Sequence, residues 1–200
     1  ASIPPIYFKL PEYAVAQYWN DYSSAAPNTD FIIYNIPQLA GVALSRGLYA
    51  KMRENKNVIG VKNSSMPTYD IQGFVRDGGE DYIVFNGPDE QFVSGRAAGA
   101  KAGIGGTYGA MPELFIAMDE SINSGDIKRA GEIQYYVNDI IEKLTSGHGN
   151  MYAMIKEVLR INEGLDIGSV RKPLVALNSD DKEIAKEAAK MIVDAKKKFL

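Results

Sequence analysis

Val58-Ile59-Gly60-Val61-Lys62-Asn63-Ser64-Ser65 passes from apolar to polar chain across a single lysine. A short apolar run rich in β-branched residues and bounded by polar ones reads as a parallel strand buried on both faces. Lys62 stands at its C-terminal tip. Folds built on parallel strands keep their chemistry at that end, and an amine there is a candidate Schiff-base nucleophile. A strand-end lysine that snorkels to solvent accounts for the same residue. The neighbouring segments have to decide between the two readings.

Outward from Lys62, strand-like and helix-like segments alternate. Strands are expected at about 3–7, 31–34, 58–62, 82–85 and 101–105. A helix over about 11–25 has Pro11 in its first turn, with Val15, Tyr18, Trp19 and Tyr22 at helical spacing. A turn carrying Pro37 and Gly41 follows the second strand, and Ser45 is a fair N-cap for a helix reaching about 54. Further helices are expected at about 68–76, ending at Gly78-Gly79, and at 89–98 and 112–122. Beyond Gly125 the pattern turns wholly helical, over 126–145, 151–162 and from 181 to the end. His148 lies in a polar turn between two of these helices.

Strands each followed by a helix imply a parallel sheet. An open doubly wound sheet calls for a glycine-rich phosphate loop after its first strand, where this chain has Phe8-Lys9-Leu10-Pro11. A closed barrel instead places functional groups at several successive strand ends. Tyr34-Asn35, Lys62-Asn63-Ser64, Gly87 with Asp89-Glu90, and Gly105-Gly106-Thr107 fit that pattern. The expected fold is therefore α/β, a (β/α)8 TIM barrel represented by strands 4–8 and their helices. It would occupy residues 1–124, with 125–200 forming a helical extension packed on the barrel. Because such a barrel takes about 250 residues, the first three βα units are expected to be absent from the chain and supplied by a further N-terminal barrel segment.

Composition narrows the function. With 46% hydrophobic and 24% charged residues the chain is an ordinary globular one, and a net charge of −3 with scattered lysines and arginines disfavours nucleic acid or an anionic membrane as partner. No stretch approaches membrane-spanning length. The absence of cysteine removes disulfides and thiolate chemistry and fits a cytoplasmic location. A single histidine leaves little scope for a metal site or a Ser-His-Asp triad.

Four segments, Ile33-Tyr34-Asn35-Ile36-Pro37, Gly60-Val61-Lys62-Asn63-Ser64-Ser65, Asn86-Gly87-Pro88-Asp89-Glu90 and Gly103-Ile104-Gly105-Gly106-Thr107-Tyr108, occur in this order and spacing. Together they resemble the N-acetylneuraminate lyase and dihydrodipicolinate synthase family, whose members are class I aldolases on a (β/α)8 barrel. The resemblance leans to the sialic acid lyase branch. No arginine follows Tyr34-Asn35-Ile36-Pro37 as in the synthases, and the Asp89-Glu90 pair suits the lyases. It implies Lys62 as the Schiff-base lysine, Tyr34 as the proton shuttle, pyruvate and an amino sugar or sugar acid as ligands, no cofactor, no metal, and a homotetramer. It also matches Tyr7 to an aromatic residue that reaches across a subunit interface, although Phe8 and Lys9 depart from the pattern.

The chemistry agrees with that implication. Cleaving a carbon–carbon bond beside a 2-keto acid leaves a carbanion, and a lysine iminium delocalises it. The amine attacks only when neutral, a form that desolvation favours, and Ile59 and Val61 suit an apolar layer. Asp89 and Glu90, at a helix start, complement its dipole; facing a cavity, they would accept hydrogen bonds from a polyhydroxylated chain. Ser64 adds a candidate hydroxyl contact. Gly87, Gly105 and Gly106 let substrate approach main-chain groups. Gly106 and Gly109 stand where the lyases often carry serine and asparagine, which leaves the sugar open. Two other readings stand beside this one: a related aldolase for another 2-keto sugar acid, and a non-catalytic barrel fragment or assembly module.

Overall fold

Four parallel strands make one sheet in the computed structural model, which describes residues 1–200. They are β1 (Phe31–Asn35), β2 (Val58–Asn63), β3 (Ile83–Asn86) and β4 (Ala102–Gly103). Their spatial order β1-β2-β3-β4 repeats their order in the chain. A doubly wound sheet reverses direction at a switch point, whereas a barrel wall is laid down in sequence. The sheet therefore supports the barrel-type α/β reading.

The strand expected at 3–7 does not form. Only Ser2 bridges the sheet, opposite Ile33, where its carbonyl accepts the Tyr34 N–H at 3.1 Å. Pro4 and Pro5 follow at once and have no N–H to extend a ladder. Residues 6–8 are exposed in consequence, Tyr7 at 87%. The strand expected at 101–105 shrinks to the two residues of β4.

The chain divides into two compact units, 1–105 and 106–200. In the first, α1 (Glu12–Ser24), the single turn α2 (Pro37–Ala40), α3 (Arg46–Met52), α4 (Thr68–Gly78) and α5 (Phe92–Ala97) separate the strands. Ser45 caps α3 by accepting the Leu48 N–H, as its position suggested. The helix expected at 89–98 begins instead as a 3₁₀ turn, Asp89–Gln91, that leads into α5. Val15 and Trp19 of α1, Leu48, Tyr49 and Met52 of α3, and Ile71 and Phe74 of α4 cover the row Ile33, Val61 and Val84, all buried. Each such side chain contributes roughly 1.5–3 kcal/mol on burial. Gly60 is required in β2, since a Cβ there would lie 2.0 Å from the Ile83 carbonyl oxygen.

The second unit is helical: α6 (Pro112–Asn123), α7 (Ile127–Thr145), α8 (Met151–Glu163) and α9 (Ser179–Phe199). Ile133, Val137, Ile140 and Leu144 recur at three- and four-residue spacing on α7 and are buried. On α9 the buried stripe carries Ala185, Ala188, Ala189 and Ala195 around Ile192, and the alanines permit close packing against α7 and α8. Asn178 and Asp181 form a capping box, so α9 starts two residues earlier than its expected start. No helix is long and apolar enough to cross a membrane.

Candidate active site

Strand register places the candidate residues. Tyr34 pairs with Lys62 and Lys62 with Phe85, one position beyond the apolar row Ile33, Val61 and Val84. Because side chains alternate across a strand, Tyr34, Lys62 and Phe85 point to the face opposite the helices. The Lys62 Nζ lies 4.0 Å from the centre of the Tyr34 ring. The amine thus rests on the aromatic face of the phenol. A phenol and a primary amine sharing one edge of a parallel sheet can pass a proton to and from a ligand held between them.

One residue further on, Asn35 pairs with Asn63 and Asn63 with Asn86, back on the helix-covered face and all buried. Asn35 Nδ2 donates to Asn63 Oδ1 at 2.7 Å. Asn63 Nδ2 donates to Ser65 Oγ at 2.9 Å, and Ser65 Oγ donates to Asp70 Oδ2 at 2.6 Å. Asn86 Nδ2 donates to the Pro88 carbonyl at 2.7 Å. In the sequence these asparagines stand among the polar groups at strand ends, with nothing local to mark their hydrogen-bond partners.

The remaining candidates lie along the same strand ends. Ser64 is buried, donates its N–H to the Asn35 carbonyl at 2.7 Å, and has its own carbonyl held by Gln38 Nε2 at 2.7 Å. Gly87 donates to the Asn63 carbonyl at 2.8 Å, and a Cβ on it would fall 1.9 Å from Ser64 Oγ. Close approach of two chain segments is what this glycine permits. Asp89 is buried while Glu90 is exposed, so the acid pair splits between two environments. Gly105 closes the first unit, half-buried, and Gly106 opens the second, where a Cβ would meet the Tyr152 hydroxyl at 3.2 Å. Tyr7 makes its ring contact with Phe8, at 4.7 Å edge to face. An open groove of about 760 Å³ between α1 and α3 is bordered by none of the candidate residues. No group of three or more His, Cys, Asp or Glu side chains is arranged to hold a metal ion.

Residues 1–192 match the model of the dihydrodipicolinate synthetase family. The N-acetylneuraminate lyase of Mediterraneibacter gnavus is 67% identical over 200 residues, which is 100% of this chain and 64% of that protein. The lyase of Fusobacterium nucleatum is 32% identical over 190 residues, 95% of this chain and 64% of its own. Among solved structures, wild-type sialic acid aldolase of Ruminococcus gnavus superposes with a TM-score of 0.97 at 67% identity, over 99% of this chain and 66% of that one. A catalytic lysine mutant of the same aldolase gives 0.98 over 99% and 65% at the same identity. The chain spans about 64% of the length of the curated relatives it matches. With the sheet in barrel order and the family pattern running through residues 1–192, the chain belongs to the dihydrodipicolinate synthetase family.

Proposed function

We propose that this chain carries the Schiff-base centre of a class I aldolase that reversibly cleaves N-acetylneuraminate to pyruvate and N-acetylmannosamine. The observation that carries the proposal is the pairing of Tyr34 with Lys62, with the amine 4.0 Å from the ring centre. Relatives with the same pattern are named as lyases of this substrate, and one solved relative is a catalytic lysine mutant.

In the proposed reaction the neutral Lys62 amine adds to the keto carbon, the Tyr34 phenol gives its proton to the departing water, and an iminium forms beside a phenolate. The Tyr34 phenolate then takes the proton from the hydroxyl beside the bond to be broken. That bond breaks, its electron pair moves into the iminium to form an enamine, and the amino sugar departs as an aldehyde. Protonation of the enamine and addition of water release pyruvate and restore the amine. Ser64, Gly87, Asp89, Glu90, Gly105 and Gly106 are assigned to substrate binding, and Tyr7 to an interface between subunits of a homotetramer. The same reading takes the sheet as strands 4–8 of the barrel, completed by a further N-terminal segment, with 1–124 in the barrel and 125–200 as its extension, in an enzyme of the cytoplasm that needs no cofactor.

Pyruvate with borohydride tests the proposal, applied to the chain alone and to a fusion with the part of the gnavus relative left unmatched. A covalent adduct on Lys62, absent from Lys62→Ala, is the expected result. No adduct in either protein overturns the aldolase reading and favours the assembly module. Glycine at positions 106 and 109 supports keeping a second reading, an aldolase for another 2-keto sugar acid; turnover of N-acetylneuraminate against other sugar acids separates the two.

A further inference from the structure

We infer that Asn35, Asn63, Ser65 and Asp70 form one positioning chain that fixes the tips of β1 and β2 behind Tyr34 and Lys62, an inference that rests on the Schiff-base role proposed for Lys62. The bonds run in a single direction. The Leu44 N–H donates to Asn35 Oδ1 at 2.9 Å, Asn35 to Asn63, Asn63 to Ser65, and Ser65 to the carboxylate of Asp70 in the first turn of α4. Donors aligned this way polarise one another, and the last bond is strengthened by the carboxylate charge.

The placement of these groups argues for more than filling. Asn35, Asn63 and Ser65 are each no more than 3% exposed, in a layer otherwise made of Ile33, Val61, Leu44 and Phe74. Buried carboxamides cost free energy wherever a partner fails, so a leucine pair would satisfy packing with less risk. What the amides add is direction. Each asparagine immediately follows a residue of the reactive pair, so its side-chain bond orients the peptide plane that Tyr34 or Lys62 leads into. Gln38 and Gln91 hold the next two carbonyls, Ser64 O at 2.7 Å and Ser65 O at 3.3 Å. Lys62 reaches its reaction point through a long flexible stem, so a small swing at the strand tip becomes a displacement on the order of 1 Å at Nζ, enough to cost about a hundredfold in rate.

The inference assigns Asn35 and Asn63 a rate role without substrate contact, and that separates it from a merely structural one. In the protein that traps pyruvate, Asn35→Leu and Asn63→Leu are expected to slow adduct formation by about tenfold or more at saturating pyruvate. Half-saturation should stay within about threefold. The double variant should be no slower than the worse single one by more than about threefold, because the two groups act as a unit. Ser65→Ala, which removes one hydroxyl and keeps the core intact, should slow the reaction about threefold to tenfold and carries the test if the leucine variants do not fold. Folded variants that trap pyruvate within twofold of the unsubstituted protein, or single losses that multiply in the double variant, overturn the inference alone. An unsubstituted protein that forms no adduct overturns the aldolase reading and the inference with it.

Discussion

Each unit carries a buried polar hub, and the two hubs differ in what they fix. In the first, Asn35, Asn63 and Ser65 tie strand tips to the start of α4 directly behind an amine and a phenol. In the second, the Asp181 carboxylate accepts backbone N–H groups from His148 at 2.7 Å, Gly149 at 3.1 Å and Asn178 at 2.9 Å, joining the α7–α8 turn to the start of α9. Both hubs are buried and well bonded, and only one lies beside the pair proposed to carry the Schiff-base chemistry. Buried polarity is thus no marker of function by itself.

That contrast can be broken or sharpened in order of expected effect. Lys62→Ala removes the proposed nucleophile, and mass spectrometry after borohydride should find no pyruvate adduct at all. Gly87→Ala drives a Cβ against Ser64 Oγ and the Asn63 carbonyl. Overpacking of this kind costs about 1–3 kcal/mol, and the adduct rate should fall about tenfold, read by the same trapping assay. Asp181→Ala should lower the thermal midpoint, followed by circular dichroism, while the adduct rate per folded molecule stays within about twofold. An equal loss of rate there would erase the distinction between the hubs.

Acid sharpens it further. The backbone N–H of Asn178, then those of His148 and Gly149, hold the Asp181 carboxyl below its ordinary range, with burial opposing them. A carboxyl lowered on folding stabilises fully above its unfolded value, about 3.9, and loses that contribution as pH falls through its folded value. The difference in thermal midpoint between the unsubstituted protein and Asp181→Asn should therefore be constant at neutral pH and shrink below about pH 4. Smallest of all, Lys51→Ala breaks an exposed pair with Glu54 and should change stability by less than about 0.5 kcal/mol.

Much of the first unit is legible in the sequence. The β-branched runs around Ile33, Val61 and Val84 declare parallel strands, and alternation places Tyr34 and Lys62 at adjacent tips. The helix cap at Ser45 acts from sequence position alone. Other features depend on partners distant in the chain. Asn35 and Asn63 are 28 residues apart, and nothing local distinguishes an asparagine in a ladder from one in a loop. Residues 3–7 look like a strand by their apolar content, but Pro4 and Pro5 cannot donate to a ladder, and only Ser2 pairs. The Asp89-Glu90 pair suggested two acids acting together, whereas the 3₁₀ turn buries one and exposes the other.

The end of β3 also bears on chemical ageing. Asn86-Gly87 is the dipeptide in which a backbone nitrogen most readily attacks the preceding carboxamide, closing a succinimide and converting asparagine to aspartate or isoaspartate, and asparagine is a thermolabile residue for that reason. Here the Gly87 N–H is engaged by the Asn63 carbonyl, the Asn86 amide is bound to the Pro88 carbonyl, and Asn86 is fully buried. The folded strand tip keeps both the attacking nitrogen and its target amide tied up in hydrogen bonds. Deamidation at this position therefore becomes a clock that runs only in molecules whose strand tips have opened, and the isoaspartate content of a stored sample records how much of its life the protein has spent unfolded there.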